Sequence, residues 1–564
     1  MPLARRCEIR MDDRLDPKTE PKGCSVILLR RPRGCILAVA VVTALVQLAA
    51  ILDAGLWVQP DSVGYVTLGQ WLVERHDFSH ELFAGRTPGY PLFLAIVFSV
   101  AGLSAGPVIL ILQHGMVVAV AVLTALMGWE LTGRRAVAAV GGMAAGCAWS
   151  LTAYASTLLT ETPYTLAVTG GAYLLVVHFR RGSLRALTGA SVCIGIAALT
   201  RPIGLPLLGI CLLCGLCRSY LNWKASGGQA HTPLRPARFT RLALPILAAV
   251  FPCAGLAGAW SLHNRLTHGV DGAANFGGQS LYLRVVQREG LVEPTNPALE
   301  EIKRCVDEVN RGRSDRQRFS YRKYDHALIA YRLVHGCTCQ QANARLGAAA
   351  WPICKAHKCK IAKGTILNAA RILLMPDPVY LYRPPGSGVL IADVTHDIPF
   401  QSTGPLFDDF HTRMYGSAQQ GVVGVTGQPG SLEPAWSAVA AWYHRHLVKG
   451  RSLPFLPGDS PYEHWVMFCF LGALAAATMS TTRRSGWLVL GGIVVLQVLP
   501  SGFMPGATPR FAVPVRPIVD LCGVWFAVEM LAFVKVHGLS RLHRARHAAS
   551  MRTAKTQSAP SKCR

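Results

Sequence analysis

Long apolar runs recur along this 564-residue chain and limit what it can fold into. Most of them are close to the ~20 residues that a helix needs to cross ~30 Å of hydrocarbon. Charged residues make up only 16% of the chain, against about a quarter in an ordinary soluble domain. The sequence therefore predicts an all-α polytopic membrane protein. The apolar runs lie at about 35–57, 88–103, 106–129, 136–156, 163–179, 185–200, 202–217, 241–261, 464–480, 486–502 and 511–534.

The formal net charge of +26 is, by itself, compatible with a nucleic-acid partner. Lys and Arg also collect in the cytoplasmic loops of membrane proteins, and the apolar runs favour this second explanation. We therefore expect no nucleic-acid partner. The first run begins at about Cys35 and is too long for a signal-peptide core, so we expect it to remain as an uncleaved anchor.

The predicted topology depends on two of the runs. The stretch 185–217 would be about 50 Å long as one helix, and Arg201-Pro202 divides it into two spans. If every run crossed, three basic clusters would lie outside, against the positive-inside rule. Treating 88–103 as a helix that lies in or dips into the interface moves all three inside. About ten spans then remain, with both termini cytoplasmic. The clusters are Arg134-Arg135, Arg180-Arg181 and the stretch from Arg218 to Arg241.

This topology divides the chain into five parts. They are a basic cytoplasmic segment at 1–34, a transmembrane module at 35–261 with an external loop at 57–105, a large extracytoplasmic loop or domain at 262–463, the last three spans at 464–534, and a basic cytoplasmic tail at 535–564.

Several charged residues come out at helix ends on the extracytoplasmic face. Two of them are acids, Asp61 and Glu161, and each alone also has a structural explanation. Asp61 is typical of a turn, and Glu161 is typical of the first turn of a helix. An arginine at bilayer depth costs ~2.5–3.5 kcal/mol, so Arg201 needs a partner or must reach the interface. When acids and arginines lie together, an acid can act as a general base and the guanidinium groups can hold a phosphate. This combination fits glycosyl transfer from a polyprenyl phosphate. The residues are Asp61, Arg86, Glu161, Arg201 and Arg510.

Four motifs around these residues resemble those of the GT-C membrane glycosyltransferases, which include protein O-mannosyltransferases and aminoarabinose transferases acting on lipid A. The resemblance covers about 50–280 and 464–534. It implies a GT-C-like bundle with membrane-parallel helices in the first external loop and an essential acid just after the first span. The motifs are PDSVGY…GRTPGYPLFLA, STLLTETPY, LTRPIGLPLL and PRFAVPVRP.

The resemblance also implies roles. Asp61 would be the catalytic base or would orient the acceptor, and Glu161 would shape the site or bind a divalent metal, Mg²⁺ or Mn²⁺. Arg201 and Arg510 would hold the donor phosphate, with Arg86 nearby. A sugar would pass with inversion from the polyprenyl-phosphate donor to an unidentified acceptor at the periplasmic face of the inner membrane. Residues expected to line the substrate site are Tyr65, Tyr90, His263 and Asn264, although the last two equally suit the polar cap of a span end.

The chain departs from these relatives in two respects. Several of them carry two adjacent acids where this chain has Asp61 and Ser62. Its large external part at 262–463 lies before the last three spans, where protein O-mannosyltransferases have a soluble module. No motif in this part identifies the acceptor. The basic stretch around Arg311–Arg322 suits either a solvated face or a contact with the acceptor or with anionic lipid.

A cysteine cluster lies within the predicted external part. Outside the cytoplasm such a cluster favours one or two disulfides over a zinc site, because its spacing fits no standard zinc pattern. Cys305 either joins it or stays free. Cys211, Cys214 and Cys217 lie in an apolar run, where cysteine is a small hydrophobe. The clustered residues are Cys337, Cys339, Cys354 and Cys359.

A transporter or flippase for a lipid-linked or anionic solute is the main alternative function. Transporters commonly place ionisable residues and broken helices near the bilayer midplane, often in repeated halves. In this chain the charged residues lie at span ends on one side and we find no repeat, which favours the enzyme. An inactive scaffold of the same architecture is a third alternative.

Overall fold

The computed structural model describes residues 32–54, 56, 60–102, 105–225, 236–274, 277–293, 295–313, 318–374, 484–503 and 513–528. The regular elements in these ranges are helical, as the apolar runs predict. Arg510 and the run at 464–480 lie outside the described residues.

The N-terminal part consists of helices, most of which share one apolar core. The first three helices and the short helix at Trp149–Ala155 pack through smaller apolar clusters. Four of the described helices are long and apolar enough to cross a membrane, over Arg33–Leu52, Gly106–Thr132, Pro202–Lys224 and Ala243–His268. The chain is therefore a membrane protein, while the count of about ten spans stays a prediction. In order, the helices are α1 (Arg33–Ala54), α2 (Pro60–Arg75), α3 (Gly89–Ala101), α4 (Gly106–Thr132), α5 (Arg135–Gly146), α6 (Trp149–Ala155), α7 (Glu161–Arg181), α8 (Leu184–Thr200), α9 (Leu208–Ala225) and α10 (Pro236–His268).

The expected break at Arg201-Pro202 is confirmed. α8 ends at Thr200, and Arg201 has extended backbone angles, with φ −146° and ψ 127°. A 3₁₀ turn at Pro202–Leu207 follows and leads directly into α9. Because proline lacks a backbone N–H and disfavours helix in the residue before it, the chain turns here and leaves Arg201 between two helices.

The run at 136–156 is not the single helix that we expected, because α5 ends at Gly146 and α6 begins at Trp149. Gly146 packs so tightly on α1 that a Cβ there would lie 2.5 Å from Thr43 Oγ1. The Gln47 amide of α1 donates to the Gly146 carbonyl and to the Thr152 hydroxyl, both at 2.9 Å. The bond to Gly146 satisfies a carbonyl at the break, where helix ends leave backbone groups without intrahelical partners.

Charged residues distinguish the two ends of the bundle. Near the end of α4, Glu130 forms ion pairs with both arginines that end α7. Arg218 of α9 lies against Gly182, which directly follows α7. We call this the basic end, and the opposite end, where α7 begins and α8 ends, the site end. Which end faces the cytoplasm stays a prediction. The basic end contains Arg134-Arg135, Arg180-Arg181 and Arg218.

α3 corresponds to the run that the positive-inside rule excluded as a span. Its 13 residues extend only about 20 Å, against the ~30 Å of a hydrocarbon core. Ile96 and Val100 on its outer side are 65% and 86% exposed. A short helix with exposed apolar side chains fits a position in the membrane interface.

Residues 277–374 form a helical module with its own apolar core. Gln340 of this module contacts the Glu81 carbonyl at 3.5 Å, so the module lies at the site end. Its last helix continues into the bundle, where Ala369 and Ile372 join the main core beside Leu490. The helices are α11 (Gly277–Tyr282), with a π-helical turn at Leu283–Arg288, then α12 (Pro297–Asn310), α13 (Tyr324–His335), α14 (Cys339–Ala356) and α15 (Lys358–Leu374), and in the bundle α16 (Arg484–Phe503) and α17 (516–528).

The expected disulfides are absent from the clustered cysteines, which are free thiols in the structure. Cys339 begins α14 and Cys354 lies near its end, about 22 Å away along the helix axis. A disulfide needs Cα atoms within about 7 Å. The helix therefore separates Cys337 and Cys339 from Cys354 and Cys359, and it prevents bridges between these two pairs.

We predict that maleimide labels the clustered thiols to the same extent with and without prior reduction, as counted by mass spectrometry of the intact protein. Cys359 should react first because it is exposed. Burial raises the pKa of the Cys339 and Cys354 thiols, so their labelling should be slower and should accelerate as the pH rises. Labelling that appears only after reduction would contradict the free-thiol arrangement.

Candidate active site

Asp61 lies in the first turn of α2, next to the end of the first span. A carboxylate is favourable there because the N-terminus of a helix carries a partial positive charge. Its Oδ1 lies 3.4 Å from Arg86 Nη2, and 49% of the Asp61 side chain is exposed. Asp61 is therefore paired and still open to a ligand that approaches from outside.

Arg86 is held in place by two residues of α2. Its guanidinium carbon lies 4.4 Å from the centre of the Tyr65 ring. A Cβ at position 64 would lie 2.9 Å from Arg86 Nε, so Gly64 provides the space for the guanidinium. Only 17% of the Arg86 side chain is exposed. We expected Arg86 near the donor phosphate, and the structure places it directly against Asp61.

Glu161 and Arg201 form a second ion pair, with Glu161 Oε1 2.7 Å from Arg201 Nη1. Glu161 is in the first turn of α7, and Arg201 follows the last residue of α8. The carboxylate is fully buried and the arginine side chain is 12% exposed. A buried carboxylate needs a cationic partner, because an ion without one loses its hydration without compensation.

The two ion pairs belong to neighbouring parts of the site end. The Thr87 hydroxyl, next to Arg86, donates to the Thr200 carbonyl, next to Arg201, at 3.0 Å. Gly89 packs on the end of α8 so closely that a Cβ would lie 2.7 Å from the Leu199 carbonyl oxygen. The structure thus brings together four of the five charged residues singled out in the sequence.

Tyr65 and Tyr90 lie beside these pairs, with their rings edge to face at 5.3 Å. Tyr90 is fully buried. Burial, with smaller contributions from Tyr65 and Glu161, raises the pKa of Tyr90 well above its usual value. The neutral Tyr90 hydroxyl donates to Gln113 Oε1 at 2.8 Å. Tyr90 therefore packs beneath the ion pairs and does not line a surface that a substrate could reach.

Gln113 is a residue that the sequence reasoning missed. Its amide nitrogen donates to the carbonyls of Ala155 and Thr157, both at 2.8 Å. These carbonyls belong to the last residue of α6 and to the segment after it that leads to Glu161. Gln113 therefore connects Tyr90 to the backbone that positions Glu161. A polar side chain within an apolar run was the only signal in the sequence.

His263 and Asn264 lie near the end of α10 and bind local backbone. His263 stacks on Trp260 at 5.1 Å and lies 3.4 Å from the Phe78 carbonyl. The buried Asn264 amide donates to the carbonyls of Gly272 and Ala273, both at 3.2 Å. These contacts are those expected of residues that cap a span end.

A further buried ion pair lies in α17, where Arg516 Nε is 3.1 Å from Asp520 Oδ1 and both side chains are less than 10% exposed. The preceding Val513 packs with Leu159, two residues before Glu161. α17 thus starts next to the site end. This pair was not predicted, although two opposite charges four residues apart in an apolar run are a signal that the sequence contains. Arg510, the predicted phosphate-binding residue of this region, lies outside the described residues.

The described residues do not fit a divalent cation at this site. Asp61 and Glu161 each face a guanidinium group. No group of three His, Cys, Asp or Glu side chains suited to a metal occurs in the part of the chain that the structure describes. Mg²⁺ is usually bound by carboxylates and phosphates together, and both of these carboxylates already have a guanidinium partner.

The side chains of Asp61 and Glu161 differ in solvent exposure, and this difference limits the chemical role that each can play. A general base must come within hydrogen-bonding distance of the proton that it removes. Asp61 is half exposed and can do so, whereas Glu161 is fully buried against Arg201. Glu161 is placed to orient the Arg201 guanidinium, whose five N–H donors allow one group to bind a carboxylate and a phosphate together.

No family model and no curated protein matches this sequence. Similar solved structures include the archaeal oligosaccharyltransferase AglB from Archaeoglobus fulgidus in complex with an inhibitory peptide and a dolichol-phosphate, with 12% identity, a TM-score of 0.41 and coverage of 90% of this chain. This chain spans 52% of that one, about half its length. ArnT from Cupriavidus metallidurans, in the apo state and bound to undecaprenyl phosphate, has 13% identity, TM-scores of 0.32 and 0.31, and coverage of 87% of this chain and 77% of its own.

Replacing Arg201 with methionine should lower the free energy of unfolding by about 3–5 kcal/mol, because buried Glu161 loses its guanidinium partner. Thermal unfolding of the detergent-purified protein measures the loss. The double variant Glu161→Gln/Arg201→Met removes both charges and should recover most of it. Equal unfolding temperatures for the single and double variants would show that the charge pair is not the source of the stability.

Proposed function

We propose that this protein is an integral-membrane glycosyltransferase that moves a sugar from a polyprenyl-phosphate donor to an extracytoplasmic acceptor. The proposal rests on two acid–arginine pairs, one half exposed and one buried, at the same end of an apolar bundle. When a lipid tail lies in the bilayer, its phosphate is held at the membrane surface, beside the ends of the spans. The pairs are therefore located where such a donor would present its reactive bond.

In the proposed reaction, an acceptor hydroxyl attacks the anomeric carbon of the sugar while the Asp61 carboxylate takes the hydroxyl proton. The bond between the anomeric carbon and the phosphate oxygen breaks, and its electron pair stays on that oxygen. Polyprenyl phosphate leaves, and the configuration at the anomeric carbon is inverted because attack and departure occur on opposite faces. The proton on Asp61 is then released to water.

The arginines have different roles in this proposal. Arg201, oriented by Glu161, binds the donor phosphate and stabilises the negative charge that develops on it. Arg86 positions Asp61, because it is fixed between Gly64 and Tyr65 with its guanidinium against the carboxylate. Arg510 keeps the phosphate-binding role that the motif implies. The active site would face the periplasmic side of the inner membrane.

Asp61→Asn should reduce sugar transfer by roughly 10²–10⁴-fold, the usual contribution of a general base. Binding of the donor should be retained, because the amide is similar in size to the carboxylate. Membranes containing the purified, reconstituted protein and cell-envelope acceptors are incubated with a panel of polyprenyl-phosphate sugars. Donor consumption and polyprenyl phosphate release are followed by mass spectrometry.

The matched control for this experiment is Asp271→Asn. The Asp271 side chain is 87% exposed and pairs with Arg265 on the surface. The Asp271→Asn variant should therefore transfer sugar at the wild-type rate. Transfer that survives in Asp61→Asn would rule out Asp61 as the base. Movement of the donor across the membrane without its consumption, by either protein, would support the transporter instead.

Arg201→Lys should raise the dissociation constant of polyprenyl phosphate by roughly tenfold or more, because lysine keeps the charge but loses the forked donors of the guanidinium group. Binding is measured by equilibrium titration of the reconstituted protein. Arg180→Lys, at the basic end, serves as the control and should bind like wild type. Unchanged affinity in Arg201→Lys would remove Arg201 from the phosphate site.

A further inference from the structure

One exposed face continues from the end of α14 into α15. Residues 355–360 are all exposed, and exposed positions recur along α15 at spacings of three or four residues. Such spacings place side chains on the same side of a helix. We call this surface the lysine face. On α15 its members are Lys360, Lys363, Ile366 and Leu367. Trp351, Lys355 and Lys358 extend it where α14 passes into α15 and residues 355–360 are all exposed.

The first part of the lysine face is cationic. Residues 351–374 contain four lysines and one arginine and no acid. None of the four lysines has a carboxylate partner among the described residues. The acid that packs against α15 is Glu289, beside Gly364, and it is already paired with Arg284 at 3.0 Å. The surface therefore attracts anions.

The second part of the lysine face is apolar and lies at membrane level. Ile366 and Leu367 are 60% and 52% exposed. Within the next turns, Ala369 and Ile372 are buried in the core of the membrane bundle. Since α15 packs in the bundle at this level, we expect the exposed aliphatic side chains on its other side to face lipid.

The distance between the two parts matches the structure of a bilayer surface. At 1.5 Å per residue, Lys363 and Lys360 lie about 6 Å and 10 Å from Leu367 along the helix axis, and the long lysine side chain can reach back to the headgroups from Lys360. The headgroup layer occupies roughly 5–8 Å on each side of the hydrocarbon. Trp351 extends the face, with Lys355 Nζ 5.1 Å from its ring centre, and tryptophan is enriched at membrane interfaces.

We propose that the lysine face binds the phosphate headgroups of anionic phospholipids in the leaflet at the site end. The lysines supply the charge, and the aliphatic part fixes their height at the headgroups, which an acidic soluble protein would not require. Binding here would hold the module of residues 277–374 against the bilayer, beside the candidate site. This inference is independent of the proposed function, since an enzyme or a transporter could carry such a surface.

The test uses the triple variant Lys358→Gln/Lys360→Gln/Lys363→Gln of the full-length protein. Native mass spectrometry measures the dissociation constant of added phosphatidylglycerol, with phosphatidylcholine of the same chains as reference. All variants are also compared in an Arg201→Lys background, which weakens a phosphate site at Arg201 without changing α15. The variant should bind phosphatidylglycerol at least about threefold more weakly and phosphatidylcholine as wild type does.

Two further variants separate a local site from net charge. The corresponding triple arginine variant should keep wild-type binding, because it retains the charge. Arg265→Gln/Arg304→Gln/Lys323→Gln removes three charges from exposed positions outside the lysine face and should also bind like wild type. Unchanged phosphatidylglycerol binding in the glutamine variant of α15, or equal weakening in both glutamine variants, would overturn the proposal.

Discussion

The pairing of Glu161 with Arg201 is the interaction on which the candidate site depends. A carboxylate with no exposed surface is tolerated only beside a cation, and Arg201 lies 2.7 Å away. This requirement fixes the beginning of α7 against the end of α8, two points that are 40 residues apart in the chain. The bond from Thr87 to Thr200 then fixes the first external loop, with Arg86 and Asp61, on the same surface.

The two acid–arginine pairs have the same composition but different surroundings, and this difference separates their roles. Asp61 retains about half of its exposure, so its carboxylate is accessible to an acceptor. Glu161 is buried and can act only through the arginine that it orients. One carboxylate is thus suited to proton transfer, and the other to holding a cation where a phosphate can reach it.

Neutral polar side chains inside the apolar bundle support this arrangement. Gln47 and Gln113 donate to backbone carbonyls at the ends of the interrupted helices α5 and α6, where helical partners are missing. His114 lies between Gln47 and Ser156, at 2.6 and 3.1 Å. In an apolar surrounding such backbone groups need partners, so these residues allow the chain to break close to Glu161.

The sequence by itself determined the membrane class, the turn at Arg201-Pro202 and the grouping of the charged residues at one end. These features follow from local signals, namely the length of apolar runs, the chemistry of proline and the distribution of Lys and Arg. The same signals could not show that 136–156 is interrupted. That break depends on Gln47, which is 99 residues before Gly146 in the chain.

Only the tertiary structure decided which acid pairs with which arginine, that Tyr90 is buried, and that the clustered cysteines are separated by α14. Spacing in the chain placed those cysteines close together, but a helix of 18 residues holds its two ends apart. Likewise, the residue type of Arg86 does not determine its partner, because a guanidinium group can bind either a phosphate or a carboxylate. Its position over Gly64 and Tyr65 is the contact that directs it to Asp61, because the direction of a side chain depends on neighbours that local sequence does not specify.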